Sequence, residues 1–141
     1  MMGDKLERPA ANKEIVRRFF EDVASGDLDL VYELVSEDCL VHAPGGEIRG
    51  VEAVKDIRTG QGQALGDWTI AVKEQIAEGD LVACLLTMSG IHSKEYLGVP
   101  PSGKRVTFTG TFLDRVVDGK IVEGWHRGPD YRDLIRQVGL P

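Results

Sequence analysis

One acidic residue, Asp130, stands where a predicted strand gives way to a predicted helix. Residues 121–125 are predicted to form the strand, and residues 131–138, with apolar side chains at helical spacing, are predicted to form the helix. A carboxylate at such a junction can point into a cavity enclosed by the sheet and act there as a general base. The same position also suits an N-cap, because aspartate accepts hydrogen bonds from the first free N–H groups of a helix. Both roles stay open.

The strand before Asp130 belongs to a predicted hairpin. The run Arg105 to Val117 is rich in β-branched and aromatic residues, and Asp118-Gly119 is a turn signal. Within this hairpin Trp125, Thr109 and Phe112 are candidate substrate contacts, together with Phe19 and His42 from the first third of the chain. We expect most of the aromatic residues to serve first as packing residues.

The elements upstream must position these residues. Residues 11–24 have a helical apolar stripe, with Asn12 as a predicted cap and Gly26 as a stop, and residues 27–35 predict a second helix. A short strand over 39–44, a helix over 50–57 and strands over 68–77 and 81–91 follow. Helices that precede an antiparallel sheet indicate an α+β fold, whose curved sheet would enclose a mostly apolar cavity.

Length and charge restrict the function classes. The 141 residues suit one domain, residues 1–141, with residues 1–10 expected to be frayed. A net charge of −6 argues against a nucleic-acid partner. No apolar run is long enough for a membrane span, and the charged N-terminal segment lacks the apolar core of a signal peptide, so we expect a cytoplasmic protein without a membrane partner.

The cysteines and histidines give no metal or nucleotide motif. Cys39 and Cys84 lie in apolar contexts and are expected to be buried free thiols. His42, His92 and His126 lack the i, i+4 pairing of common metal sites, so no metal is expected. Neither a GxGxxG nor a GxxxxGK[ST] element is present, and no cofactor is predicted.

The order of these elements resembles the nuclear transport factor two-like superfold, and within it the chain is similar to the SnoaL-like polyketide cyclases. The resemblance covers residues 12–139 and is carried by three motifs around Asp130: HSKEYLGVPPSGK at 92–104, DGKIVEGW at 118–125 and LIRQVG at 134–139. It implies a cone-shaped α+β barrel with a curved mixed or antiparallel sheet packed against N-terminal helices. It also implies a homodimer or homotetramer formed through the open face of that sheet.

By this resemblance, Asp130 matches the acid/base aspartate of the family and His92 matches a histidine near it. The implied reaction is a cofactor-free intramolecular aldol condensation of a hydrophobic carbonyl compound, in which Asp130 moves the proton and His92 stabilises an oxyanion. Two alternatives stay open: a small-molecule binding protein without turnover, and a cofactor-free isomerase or hydroxylase.

One departure from the family pattern concerns the segment before Asp130. Residues 126–129 are one residue longer than in typical relatives and end in Gly128-Pro129, which suggests a bulge at the strand end. Asp114 and Arg115 lie too near the predicted hairpin turn to serve Asp130 as partners. The epoxide hydrolase version of the fold is therefore disfavoured.

Overall fold

The computed structural model describes residues 2–139, with side chains from residue 8 onward. Its elements in chain order are α1 (Met2–Ala24), α2 (Leu30–Leu34), β1 (Val35–Ala43), β2 (Gly46–Arg49), α3 (Val51–Ala64), β3 (Leu65–Glu78), β4 (Leu81–His92), β5 (Arg105–Val117), β6 (Lys120–Trp125) and α4 (Tyr131–Val138). The predicted frayed start included Met1, which lies outside the described residues. Helix α1 begins at Met2 rather than at the predicted Asn12 cap.

Within residues 2–139 the strands form one six-stranded sheet in the order β2-β1-β6-β5-β4-β3. The β1–β6 pair is parallel and every other neighbouring pair is antiparallel, so the sheet is mixed. The predicted α+β fold is confirmed. Sequence patterning missed β2, whose residues are mostly exposed and therefore carry no apolar signal.

Alternation along β5 decides which side chains face the helices. Val106, Phe108, Phe112, Asp114 and Val116 are all buried. The residues between them point to the other face, since successive side chains of a strand alternate. Asp114 thus stands in an otherwise apolar series.

Helix α1 packs its apolar stripe against the sheet, and α3 covers the neighbouring part of the same face. The stripe consists of Val16, Phe19, Phe20 and Val23, each at most 3% exposed. Cys39 and Cys84 are buried free thiols, as predicted. In the described part of the chain, no helix has the length and apolarity that a membrane crossing needs.

Candidate active site

A cavity of about 960 Å³ lies between α3, the sheet and the segment that follows β6. Much of its wall is apolar and buried: Phe19, Phe20, Val41, Val54, Ile70, Met88 and Phe112. Charged side chains, among them Glu47, Asp56, Glu95 and Asp130, also line it. A concave cavity of this size with a mainly apolar wall is the usual form of a small-molecule site.

One polar group of the cavity wall is hydrogen-bonded to a buried carboxyl group. His126 lines the cavity, and its Nε2 lies 2.7 Å from Oδ1 of Asp114. The His126 side chain is 14% exposed and that of Asp114 is fully buried. With the carboxylate oxygen as acceptor, Nε2 of His126 is the donor and the lone pair of the ring lies on Nδ1. A histidine so oriented can act as a general base.

The strand register and a glycine together place the pair. Asp114 lies directly opposite Gly124 in the β5–β6 ladder. A Cβ atom at Gly124 would lie 2.6 Å from Oδ1 of Asp114 and 2.6 Å from Nε2 of His126. The missing side chain therefore leaves the space in which the two groups meet. The rings of Phe20 and Phe112 then flank the imidazole, with centroids at 5.6 Å and 5.2 Å.

Arg58 of α3 brings a positive charge to the same cavity. Its side chain is buried, and its guanidinium donates to the main-chain oxygens of Phe19 at 2.8 Å and Phe20 at 3.0 Å. The guanidinium carbon lies 4.8 Å from the centroid of the Phe19 ring. Burial lowers the pKa of Arg58 to about 10, against the opposing effect of the charge on Asp114. Arg58 is therefore still a cation at neutral pH.

Asp130 lies at the rim of the cavity and caps α4. Its Oδ1 accepts hydrogen bonds from the main-chain N–H groups of Arg132 at 2.6 Å and Asp133 at 3.4 Å. The residue is exposed. Strand β6 ends at Trp125, and a loop with a cis Gly128–Pro129 peptide bond leads to Asp130 in place of the predicted bulge. Asp130 is therefore the N-cap of α4, and it also borders the cavity.

His92 does not reach the cavity. It is fully buried, with Nδ1 3.0 Å from Oγ of Ser102 and Nε2 3.2 Å from the main-chain oxygen of Val99. Its main-chain N–H donates to the oxygen of Lys104. Both ring nitrogens are thus engaged in holding the segment 93–104 in place. The structure does not bring His92 together with Asp130 at the cavity, contrary to the expected pairing.

The segment that His92 holds forms part of the cavity entrance. Tyr96 and Leu97 both line the cavity. Burial raises the pKa of Tyr96 to about 12. Three large apolar side chains stand partly exposed at the entrance, Ile57 at 46%, Leu97 at 40% and Tyr131 at 49%.

The five predicted substrate contacts divide between the two faces of the sheet. Phe19 and Phe112 line the cavity. His42 and Trp125 stack on each other with centroids 5.3 Å apart, away from the cavity, and Nε2 of His42 lies 2.8 Å from Glu123. Thr109 is exposed on the sheet face that turns away from Phe112. Residues 109 and 112 are an odd number of positions apart, so one strand cannot present both to the same side.

Sequence reasoning missed the Asp114–His126 pair and Arg58. A signal for Asp114 was present, because Val106, Phe108 and Phe112 share its period-two register and predict an inward side chain. The sequence raises Asp114 only as a candidate partner of Asp130, and the structure pairs it instead with His126. For metals, the described residues contain no group of three or more histidine, cysteine, aspartate or glutamate side chains that could hold an ion.

Comparison with known proteins gives one consistent family. The sequence profile of the SnoaL-like polyketide cyclases matches residues 14–138. The chain is 33% identical over 137 residues to the aklanonic acid methyl ester cyclase DauD of Streptomyces sp. strain C5, covering 91% of this chain and 81% of DauD. It is also 33% identical over 135 residues to the corresponding cyclase DnrD of Streptomyces peucetius, covering 91% of this chain and 90% of DnrD.

Two solved structures agree with this result. IdmH of Streptomyces antibioticus, a proposed polyketide cyclase, superposes with a TM-score of 0.79 at 30% identity, covering 92% of this chain and 99% of IdmH. AclR of Streptomyces galilaeus, a proposed hydroxylase, superposes with a TM-score of 0.75 at 30% identity, covering 97% of this chain and 99% of AclR. The resemblance inferred from the three sequence motifs is confirmed.

Proposed function

The chain belongs to the SnoaL-like polyketide cyclase family and is an enzyme of the cyclase type, and from this premise we propose that it closes a ring in a hydrophobic, polyketide-like carbonyl compound by an intramolecular aldol reaction. The names of DauD and DnrD suggest a methyl ester of a polyketide acid as the substrate class. The apolar wall of the cavity supports a hydrophobic substrate.

We assign the general base to His126. Nδ1 of His126 removes a proton from a carbon that neighbouring carbonyl groups acidify, and Asp114 stabilises the imidazolium that forms. The enolate carbon then attacks the second carbonyl, and the imidazolium returns its proton to the new alkoxide. The observation that carries this assignment is the 2.7 Å contact between His126, which lines the cavity, and the buried Asp114. The reaction as proposed uses no cofactor, because the substrate delocalises the enolate charge.

Asp130 is the competing candidate for the base. Its place at the cavity rim and the match to the family aspartate favour it. Its exposure and its engagement as the cap of α4 favour the His126 assignment instead. Asp130→Asn separates the two roles, because asparagine caps a helix about as well as aspartate but carries no charge.

The test is turnover of aklanonic acid methyl ester, followed by chromatography and mass spectrometry, in the wild type and in single variants. We expect His126→Gln to lower kcat by about 10²- to 10⁴-fold and Asp114→Asn to lower it in the same direction. Asp130→Asn is expected to stay within about twofold of the wild type. A large loss in Asp130→Asn with normal turnover in His126→Gln would assign the base to Asp130.

A second candidate reaction is a cofactor-free hydroxylation, which the likeness to AclR favours. The same assay distinguishes the two reactions, since ring closure by aldol addition leaves the mass of the substrate unchanged and hydroxylation adds an oxygen atom. Tight binding of the ester without any product would favour a binding protein instead.

We also propose that the chain forms a homodimer or homotetramer through the sheet face opposite the cavity. Leu85 is 38% exposed on this face, and it pairs in register with the exposed Thr111. The neighbouring ladder pair of Thr87 and Thr109 extends the same sheet face. An exposed apolar residue beside small threonine side chains suits packing against an identical copy, and the exposed Glu74, opposite Leu85 in the β3–β4 ladder, adds a charge on the same face.

A further inference from the structure

Arg58 keeps donor groups that no described residue uses. A guanidinium carries five N–H donors. Hydrogen bonds to Phe19 and Phe20 use one N–H on each terminal nitrogen. Among the side chains that the structure describes, Arg58 forms no ion pair. A cation that is 8% exposed and lines a cavity therefore has free donors at the cavity wall.

A purely structural role explains only part of this arrangement. The two carbonyl acceptors lie in the second half of α1, where the helix dipole favours a positive charge. The guanidinium also braces α3 against α1 through the ring of Phe19. The charge of Asp114 acts on Arg58 without a direct hydrogen bond or ion pair, so a buried guanidinium with unused donors still costs stability, which an apolar side chain of similar volume would avoid. A ligand with a negatively charged oxygen would supply a direct partner.

The charges of Arg58, Asp114 and His126 match such a ligand during the proposed reaction. In the proposed mechanism Asp114 is an anion and His126 is neutral before the reaction, so the cation of Arg58 offsets the charge of Asp114. Once His126 has taken the proton of the substrate, these three groups carry one net positive charge, and the enolate carries one negative charge. Stabilisation of a charge that develops during the reaction is the largest single contribution in many enzymes.

We propose that Arg58 binds the substrate oxygen that becomes negatively charged, as the enolate oxygen of a carbonyl group. This inference rests on the proposed function of the same cavity, and it adds the group that recognises the substrate carbonyl. Arg58 is then a catalytic residue that contacts substrate, whereas Phe19 and Phe20 position it. The ligand class is a planar apolar compound with an anionic or strongly polarised oxygen at one end.

The test compares two probes of equal shape, 2-naphthoate and 2-naphthamide, by calorimetric titration at pH 7. We expect the wild type to bind the carboxylate at least about tenfold more tightly than the neutral amide. Arg58→Gln should remove this preference, and Arg58→Lys should retain part of it. The ratio of the two affinities within one variant is the readout, because a merely structural loss would weaken both probes alike.

A crystal structure of the wild type with 2-naphthoate completes the test and does not depend on a variant that folds. We expect the carboxylate within hydrogen-bond distance of the Arg58 guanidinium. Equal affinities for both probes in the wild type, or a carboxylate bound elsewhere, would overturn the inference. His126→Gln should keep the preference for the carboxylate while losing turnover. Failure of the His126 assignment is therefore measured separately from failure of the Arg58 site.

Discussion

The imidazole of His126 occupies the space that a side chain at Gly124 would fill. A Cβ atom at position 124 would lie 2.6 Å from Nε2 of His126 and 2.6 Å from Oδ1 of Asp114, far inside van der Waals contact. The hydrogen bond between the histidine and the aspartate therefore depends on a residue that has no side chain.

Gly124→Ala should separate His126 from Asp114 and lower turnover by roughly 10²-fold, because the base loses the partner that orients it. Gly62→Ala is the matched control, since a Cβ there meets nothing within 4 Å. As a glycine inside α3, it should gain about 0.5–1 kcal/mol in the free energy of unfolding and keep wild-type turnover. Turnover in Gly124→Ala equal to that of the control would show that the contact is not needed for the reaction.

His92→Ala should loosen the segment 93–104 without removing a reacting group. It leaves the main-chain oxygen of Val99 and the hydroxyl of Ser102 without their ring partners. We expect faster amide hydrogen exchange across 93–104 and a several-fold rise in KM, with a smaller change in kcat. Ser102→Ala, which removes one partner only, should give a smaller effect. A much slower turnover step, with KM unchanged, would instead support the oxyanion role that the family resemblance implies.

Leu85→Lys should shift the protein toward monomer if the open sheet face is the interface between copies. An ammonium group buried in an apolar contact loses its hydration without gaining a partner. Light scattering after size-exclusion chromatography measures the mass. Ile57→Lys is the control, because Ile57 is similarly exposed but lies at the cavity entrance. If the wild-type protein had the mass of a monomer, the proposed interface would be contradicted.

Stability should fall at alkaline pH in part through Cys39. Burial, with smaller contributions from nearby carboxylates such as Asp114, raises the pKa of this thiol from 9.0 to about 12. Between these values the unfolded chain releases the thiol proton and the folded chain keeps it. The contribution is therefore complete below pH 9 and is lost as the pH rises toward 12.

Cys39→Ala should reduce the loss of stability with rising pH, whatever the substitution costs in the free energy of unfolding at neutral pH. The slope contributed by one such group is at most about 1.4 kcal/mol per pH unit. Cys84→Ala serves as the comparison and should flatten the decline less, because the pKa of Cys84 is raised only to about 11. Urea unfolding from pH 8 to 12 measures both slopes, which differ above about pH 11. If the free energy of unfolding fell equally with pH in the wild type and in Cys39→Ala, the prediction would be contradicted.

The fold was largely predictable because its elements carry strong local signals. The Asp118-Gly119 turn identified the β5–β6 hairpin, and the stripe around Phe19 identified α1. Strand β2 was not predictable, since four mostly exposed residues after a glycine turn leave no apolar pattern. The parallel pairing of β1 with β6 joins distant parts of the chain and has no local signal either.

The Asp114–His126 pair depended on a detail that no local pattern encodes. The turn pairs Val117 with Lys120, but the register shifts between Arg115 and Val116. Because of that shift, Asp114 faces Gly124, where an unbroken ladder would have placed it opposite Glu123. A one-residue change in register exchanges the two faces of a strand. Predicting the site therefore required the register irregularity, which only the three-dimensional pairing reveals.

The groups assigned to proton transfer and those that form the entrance come from different parts of the chain. Asp114, Gly124 and His126 lie on one hairpin and its immediate continuation. Ile57, Leu97 and Tyr131 reach the entrance from α3, from the segment before β5 and from α4. Mutations that reshape the entrance can therefore accumulate without altering the hairpin. Laboratory evolution toward new substrates can vary positions 57, 97 and 131 while leaving the proposed proton-transfer pair untouched.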